Sequence, residues 1–211
     1  VKNAAGYSTE AVAELAIALM IDLYRKVLEN DTITRQCNRK GIMPGREIGG
    51  KTIGIIGMGN IGQRVAKLAN AFGCKVLAWN RTPKKVEGVT FVDKETLLKE
   101  SDIVTLHIAL NADTRDFITA KDFALMKPSA LMVNTARGPV VNEQALADAL
   151  KEGKIAGAAT DVYSTEPPLQ PNNPLFEAPN LIMLPHIGFA TEEAFVLRLG
   201  IVVRNVEEFL S

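Results

Sequence analysis

The chain is poor in the residues that metal centres and disulfide frameworks require. Two cysteines, Cys37 and Cys74, and two histidines, His107 and His186, occur in 211 residues. None stands in a CxxC or metal-ligand spacing, so no metal site is expected. Two distant thiols suit a reducing compartment, which points to the cytoplasm. Net charge is lacking too, since 24 Lys and Arg face 24 Asp and Glu. No overall field is left to gather nucleic acid or an anionic membrane surface, and neither partner is expected. Long apolar runs are missing as well: the stretch from Ala11 to Ile21 is too short to span a bilayer and is interrupted by Glu14.

What is present is an alternating pattern. Val12, Leu15, Ala16, Leu19, Met20 and Leu23 recur at helical spacing and predict a helix over 8–28. Ala11, Ala13, Ile17, Ala18 and Ile21 make its early turns apolar nearly all round, so cover is expected on more than one side, from another domain or subunit. A short polar helix is predicted over 31–40, stopped by Gly41, followed by a connection marked by Pro44, Gly45, Gly49 and Gly50. From Lys51 onward, β-type runs (TIGIIG, KVLAW, DIVTLHI, ALMVNT, IAGAATDV, LIMLPHI) are separated by helical stretches near 61–72, 94–100, 115–126 and 142–151, with a last helix running to the end. Strands rich in Val and Ile separated by helices predict an α/β fold: one Rossmann-type domain, a doubly wound parallel sheet with helices on both faces.

Gly57-Met58-Gly59-Asn60-Ile61-Gly62 is a GxGxxG sequence that follows a predicted strand and opens a predicted helix. That context makes it a dinucleotide fingerprint. Gly57 permits the tight turn, Gly59 the approach of a pyrophosphate, and Gly62 close helix packing, while the phosphates take the free amides of the helix start. A purely structural glycine turn is the other reading. The ribose-reading position should close the second strand about 20 residues on, where Asn80, Arg81 and Thr82 stand. A carboxylate there would repel a 2′-phosphate. Asn80 with Arg81, and Lys84 and Lys85 nearby, would tolerate or attract one, so NADP(H) is expected over NAD(H). A solvated basic turn would look the same.

The segments GYSTEAVAELAIALM, GKTIGIIGMGNIG, SDIVTLHIAL, LMVNTARGPVVNEQAL, ATDVYSTEPP and LPHIGFAT together resemble the D-2-hydroxyacid dehydrogenases, which include glyoxylate/hydroxypyruvate reductases and glycerate and phosphoglycerate dehydrogenases. The resemblance implies hydride transfer between NAD(P)H and a small 2-keto or D-2-hydroxy acid, glyoxylate or hydroxypyruvate being favoured. It assigns catalysis to Arg137, which holds the substrate carboxylate and polarises the keto oxygen, and to the pair Glu166 and His186, which exchanges a proton with that oxygen. It further places His107, Thr135, Ala136 and Gly188 around the nicotinamide, Asp161 near its carboxamide, and Thr114 near the phosphates. Ala109 and Phe189 depart from the family's usual proline and small residue, and Phe189 leaves the substrate open.

The resemblance also divides the chain into a crossover and dimerisation helix (1–28), a linker (29–50), the dinucleotide domain (51–190) and a C-terminal helix (191–211). It implies that the substrate domain is absent, that the isolated chain is nearly inactive, and that a homodimer forms through residues 8–28. Some transcriptional corepressors resemble the same family, so a dinucleotide-sensing interaction module is the alternative.

Overall fold

The computed structural model describes residues 3–36, 41–82, 84–166 and 169–210. Cys37 and the end of the helix expected over 31–40 lie outside them. Seven parallel strands form one sheet: β1 (Thr52–Ile56), β2 (Lys75–Trp79), β3 (Val89–Phe91), β4 (Ile103–Leu106), β5 (Leu131–Asn134), β6 (Gly157–Thr160) and β7 (Leu181–Met183), in the order β3-β2-β1-β4-β5-β6-β7. The expected doubly wound α/β fold is therefore the observed one. Strand order reverses between β1 and β4, and the crevice beyond the carboxyl ends of these two strands is where such sheets bind ligands.

The helices divide between the faces. Helices α1 (Thr9–Arg25) and α3 (Asn60–Ala71) cover one, where Ala13, Ala16 and Met20 share a core with Val65, Ala66, Ala69, Ile53 and Ile55. Helices α4 (Lys94–Glu100), α5 (Ala120–Phe123) and α6 (Glu143–Lys151) cover the other, with Leu97, Leu98, Phe123, Leu146 and Leu150 against Ile56, Val104 and Met132. Residues of β1 thus alternate between two cores, as a strand buried on both faces requires. Gly54 serves the second face: a Cβ there would lie 2.2 Å from Ser101 Oγ and 2.6 Å from Leu97 Cδ2.

At the amino ends of the strands, Asp102 ties β1 to β4. Its Oδ2 accepts from the Thr52 amide at 2.9 Å and its Oδ1 from Lys127 Nζ at 2.7 Å. Burial works against the Asp102 charge, but the Lys127 ammonium and the Thr52 amide outweigh it and hold the carboxyl below its usual range.

Several sequence expectations are corrected. The first helix stops at Arg25, not near residue 28, because Lys26 adopts a left-handed conformation (φ 55°) and the chain restarts as α2 (Val27–Arg35). In place of the helices expected over 115–126 stands the single turn α5, closed by a reciprocal Thr119–Asp122 capping box. Strand β3 was not expected.

The largest correction concerns cover. Ala11, Val12, Ala13, Ala16, Ile17, Leu19, Met20, Leu23 and Tyr24 are all buried within the chain itself. The all-round apolarity of α1 reflects its position between α3 and strands β5 and β6, and it needs no second subunit. Exposed apolar side chains lie elsewhere. Phe195, Val196, Leu197, Leu199, Val202, Val203, Val206, Phe209 and Leu210 stand on the last helix, α7 (Glu192–Leu210), and a smaller set, Val27, Leu28, Ile42 and Met43, lies just past α1. Among the described residues no helix is long and apolar enough to cross a membrane.

Candidate active site

The predicted site residues fall in the segments that follow the carboxyl ends of the strands. The fingerprint follows β1, Asn80 to Thr82 follow β2, His107 and Thr114 follow β4, Thr135 to Arg137 follow β5, Asp161 and Glu166 follow β6, and His186 and Gly188 follow β7. A cavity of about 520 Å³ opens there, and Ile61, His107, Thr135, Ala136, Arg137, Asp161, His186 and Gly188 all line it. One wall thus carries eight of the residues the sequence singled out.

The three fingerprint glycines have three different reasons to be glycine. Gly57 has φ 101°, and a Cβ on it would lie 2.6 Å from the His107 carbonyl, so the turn and the packing both require glycine. A Cβ on Gly62 would sit 2.0 Å from the Gly57 carbonyl oxygen, which fixes how closely α3 enters the sheet. A Cβ on Gly59 would meet nothing within 4 Å. The protein's own packing leaves that space open at the start of α3, where first-turn amides have no helical partner and attract phosphate.

Two buried polar atoms on the cavity wall, Thr135 Oγ1 and His107 Nδ1, have no hydrogen-bond partner among the described residues. Such orphaned groups call for a ligand or water. The cavity therefore fits a nicotinamide dinucleotide on two independent observations. His107 Nε2 contacts Thr105 Oγ1 at 3.0 Å. Burial drives the imidazole's pKa down to about 3, so it stays neutral and offers hydrogen bonds without charge.

At the nicotinamide end the loops are interlocked. Asn134 grips the loop after β5, its Oδ1 accepting from the Ala136 amide at 3.1 Å and its Nδ2 donating to the Arg137 carbonyl at 3.1 Å. This leaves the exposed Arg137 guanidinium leaning on the Ala136 carbonyl (Nη1 to O, 2.6 Å), with its remaining donors uncommitted. After β7, His186 has a left-handed backbone (φ 57°), a conformation that costs a non-glycine residue about 1–2 kcal/mol. Asp161 holds it there, Oδ1 accepting from the Ile187 amide at 2.8 Å and Oδ2 from the Gly188 amide at 2.7 Å. Burial pushes the Asp161 carboxyl above its usual range, against the pull of those two amides.

Glu166 Oε2 hydrogen-bonds His186 Nδ1. The imidazole is thereby oriented with Nε2 as the nitrogen left to exchange a proton. Phe189 packs edge-on to the His186 ring at 5.7 Å.

The adenosine end is built differently from expectation. Asn80 does not present a free carboxamide: its Oδ1 accepts from the Met58 amide at 3.2 Å and its Nδ2 donates to the Thr82 carbonyl at 2.7 Å, tying the glycine loop to the turn after β2. Arg81 pairs with Asp113 at 3.0 Å, both side chains largely in water (66% and 76% exposed). Asn60 faces a neighbouring surface cleft with Thr9, Glu10 and Arg64. Thr114 is buried, accepting from the Asn111 amide and donating to the Ala109 carbonyl, both at 2.7 Å, so its hydroxyl shapes the loop.

The model of the D-isomer specific 2-hydroxyacid dehydrogenase NAD-binding domain matches residues 17–188. The chain belongs to this family. Among curated relatives, it is 43% identical over 221 residues to a glyoxylate reductase of Thermococcus litoralis, covering 99% of this chain and 66% of that protein. Among solved structures, an acyclic imino acid reductase in complex with NADPH and D-Arg superposes with a TM-score of 0.92 at 39% identity, covering 100% of this chain and 68% of the other. A glyoxylate reductase from Paecilomyes thermophila superposes at 0.88 with 38% identity, over 96% of this chain and 62% of that one. This dehydrogenase domain thus spans just under two thirds of the length of the curated relatives it matches. These names are all of reductases, and nothing in them favours the corepressor reading.

Sequence reasoning missed three residues that shape the site of this dehydrogenase domain. Asn134 grips the arginine loop. Glu143, at the start of α6, accepts from the Ser164 amide at 2.6 Å and from Asn173 Nδ2 at 3.0 Å, bracing the loop that carries Glu166. Tyr163 contacts Glu166 through its amide and, through its phenol, the Leu184 carbonyl two residues before His186. Local spacing signals none of them, since each acts through a contact with a loop whose path the sequence leaves unspecified.

Proposed function

We propose that the chain is the cofactor-binding and proton-transfer part of an oxidoreductase that interconverts small 2-keto acids and D-2-hydroxy acids, with glyoxylate or hydroxypyruvate as substrate. The observation that carries this reading is that Arg137 and His186 open onto the same cavity as the unpartnered Thr135 hydroxyl. The dinucleotide, when bound, supplies or takes up the hydride. Arg137 offers a planar guanidinium to the substrate carboxylate and keto oxygen. His186, with Nδ1 held by Glu166, gives a proton from Nε2 to that oxygen in reduction and takes one in oxidation.

For the cofactor, we propose NADP(H) over NAD(H). No carboxylate stands at the end of β2 to repel a 2′-phosphate, and the exposed Arg81 can exchange Asp113 for that phosphate. The NADPH complex of the imino acid reductase is consistent with this order. Calorimetric titration of the chain with the four dinucleotides tests both statements: no binding at millimolar concentration removes the cofactor reading, and tighter NADH than NADPH reverses the preference.

The relatives' additional third is the natural source of a second cleft wall, and we propose that the apolar side of α7 rests against it. On this reading the isolated chain is nearly inactive, because one wall neither excludes water nor aligns the keto carbon. Assaying glyoxylate and hydroxypyruvate reduction by the chain alone, and by the chain joined to the flanking parts of the Thermococcus relative, separates the two. Pairing of two chains through residues 8–28 is retained only at its exposed end, where Val27 and Leu28 accompany Ile42 and Met43. A monomer by sedimentation at tens of micromolar rejects it. A cytoplasmic setting is proposed on Cys74, whose thiol is buried beside the Ile48 carbonyl and raised in pKa by that burial, which makes it an inert core residue.

A further inference from the structure

We propose that Tyr163 is a positioning residue that holds Glu166 and His186 in register, keeping the imidazole proton on Nδ1 and leaving Nε2 for the substrate. The proposal rests on the reading of Glu166 and His186 as the proton-exchanging pair. Tyr163 is buried, with its amide on one member of that pair and its phenol on the segment leading to the other. Its backbone amide donates to Glu166 Oε1 at 3.0 Å, leaving Oε2 for His186 Nδ1. Its phenol donates to the Leu184 carbonyl at 2.8 Å, two residues before His186. A closed ring of contacts results: Tyr163 amide, Glu166 carboxylate, His186 imidazole, the backbone back to Leu184, and the Tyr163 phenol.

The other contacts around the pair act on different groups. Beyond His186, Asp161 grips the Ile187 and Gly188 amides, so it fixes the far side of the histidine only. The Tyr163 backbone is itself pinned by Gly138, where a Cβ would lie 1.9 Å from the Tyr163 carbonyl carbon. The Leu184 amide donates to the Thr160 carbonyl at 2.9 Å, which aligns the segment with the sheet, and the phenol adds a tie on the carbonyl side of Leu184 that joins the segment to the loop carrying Glu166. Burial first, and then the charges of Asp161, Glu143 and Glu166, push the phenol's pKa up to about 12, so it remains a donor wherever the enzyme works.

The chain's two histidines make the test direct. Imidazole nitrogen spectra of the isotope-labelled chain report which ring nitrogen carries the proton and how fast that proton exchanges with water. Tyr163→Phe keeps the ring and drops the donor. The expected result is a His186 that populates both tautomers, with Nδ1–H exchange accelerated about five- to tenfold, the equivalent of one ordinary hydrogen bond, while His107 signals stay in place. Glu166→Gln serves as the reference. If it changes the His186 signals and Tyr163→Phe does not, the positioning role is overturned while the pair stands. If neither changes them, the pair itself is wrong.

Movement of His107 signals in Tyr163→Phe would indicate general loosening and also overturn the proposal. Should that variant not fold, 3-fluorotyrosine at the tyrosine positions strengthens the donor and should slow the exchange. An unchanged rate then rejects the role.

Discussion

The loops after β5, β6 and β7 and the loops after β2 and β4 are joined to one another by different kinds of contact. At the nicotinamide end, Asn134, Asp161, Tyr163 and Glu166 hold neighbouring loops through side chain–backbone bonds, and a strained His186 is kept in place by its neighbours. After β2, Asn80 also grips backbone, at the Met58 amide and the Thr82 carbonyl, but the loops after β2 and β4 are bridged to each other by an exposed ion pair, Arg81 with Asp113. A proton donor must stand within a fraction of an ångström of its target, whereas recognition of a 2′-phosphate needs only a mobile cation within reach. On the proposed reading, the firmly held loops carry the proton-exchanging pair, and the choice of cofactor rests on groups that cost little to move.

Breaking the rigid end should have the largest effect. In a protein with both cleft walls, His186→Ala is expected to lower turnover by about a hundred- to ten-thousandfold, as loss of a general acid does. Dinucleotide affinity measured by calorimetry should be preserved. Near-normal turnover would remove His186 from the chemistry. In the same protein Glu166→Gln should lower turnover less than His186→Ala does, because the imidazole stays but loses the carboxylate that orients its Nδ1.

The glycines between the two ends sharpen the contrast. Gly62→Ala drives a Cβ into the Gly57 carbonyl and should lower the melting temperature by several degrees, the consequence of about 1–3 kcal/mol of overpacking. Gly59→Ala enters open space, so thermal unfolding should not change while dinucleotide affinity falls about tenfold or more. If both variants lose stability equally, the open space at Gly59 is not a ligand's space.

The imidazole of His107 links the rigid end to acid stability. Its folded pKa, about 3, lies below the unfolded value of about 6.5. Between these values the unfolded chain binds a proton that the folded one refuses, so stability is complete above pH 6.5 and falls as the pH drops towards 3. The slope can reach about 1.4 kcal/mol per pH unit for one proton. Denaturant titrations at pH 7 and pH 5 should show this loss for the wild type and a smaller one for His107→Asn.

The smallest effects belong to the loose end. Asp113→Asn frees Arg81 from a pair of the kind worth about 0–1 kcal/mol. NADPH binding should tighten by no more than about fivefold, with NADH unaffected. Arg81→Ala should weaken NADPH and spare NADH.

The same contrast explains what was legible in the sequence. The fingerprint and the motifs that carry Arg137, Glu166 and His186 stand out in the sequence because they are short, continuous runs of particular residue types, and the fold brings Arg137 and His186 to one cavity. The sheet was readable from its runs of Val and Ile. Strand β3 was not, since three residues with only partial burial leave no periodicity to detect. The break after Arg25 escaped notice because lysine carries no signal for a left-handed backbone. The cover on α1 was sought outside the chain because the pattern records that a face is apolar, not that Val65, Ala66 and Ala69 of α3 fill it. Asn80 was read as a ligand-facing amide, whereas its contact with Met58 spans 22 positions and follows only from how β1 and β2 align.

Asp102 sits at the amino ends of the central strands, away from all of this, joining Thr52 and Lys127 where β1 and β4 begin. The tie that aligns these two strands therefore lies at the opposite rim from the loops that line the cavity, and a substitution at Arg81 or Phe189 removes none of its contacts.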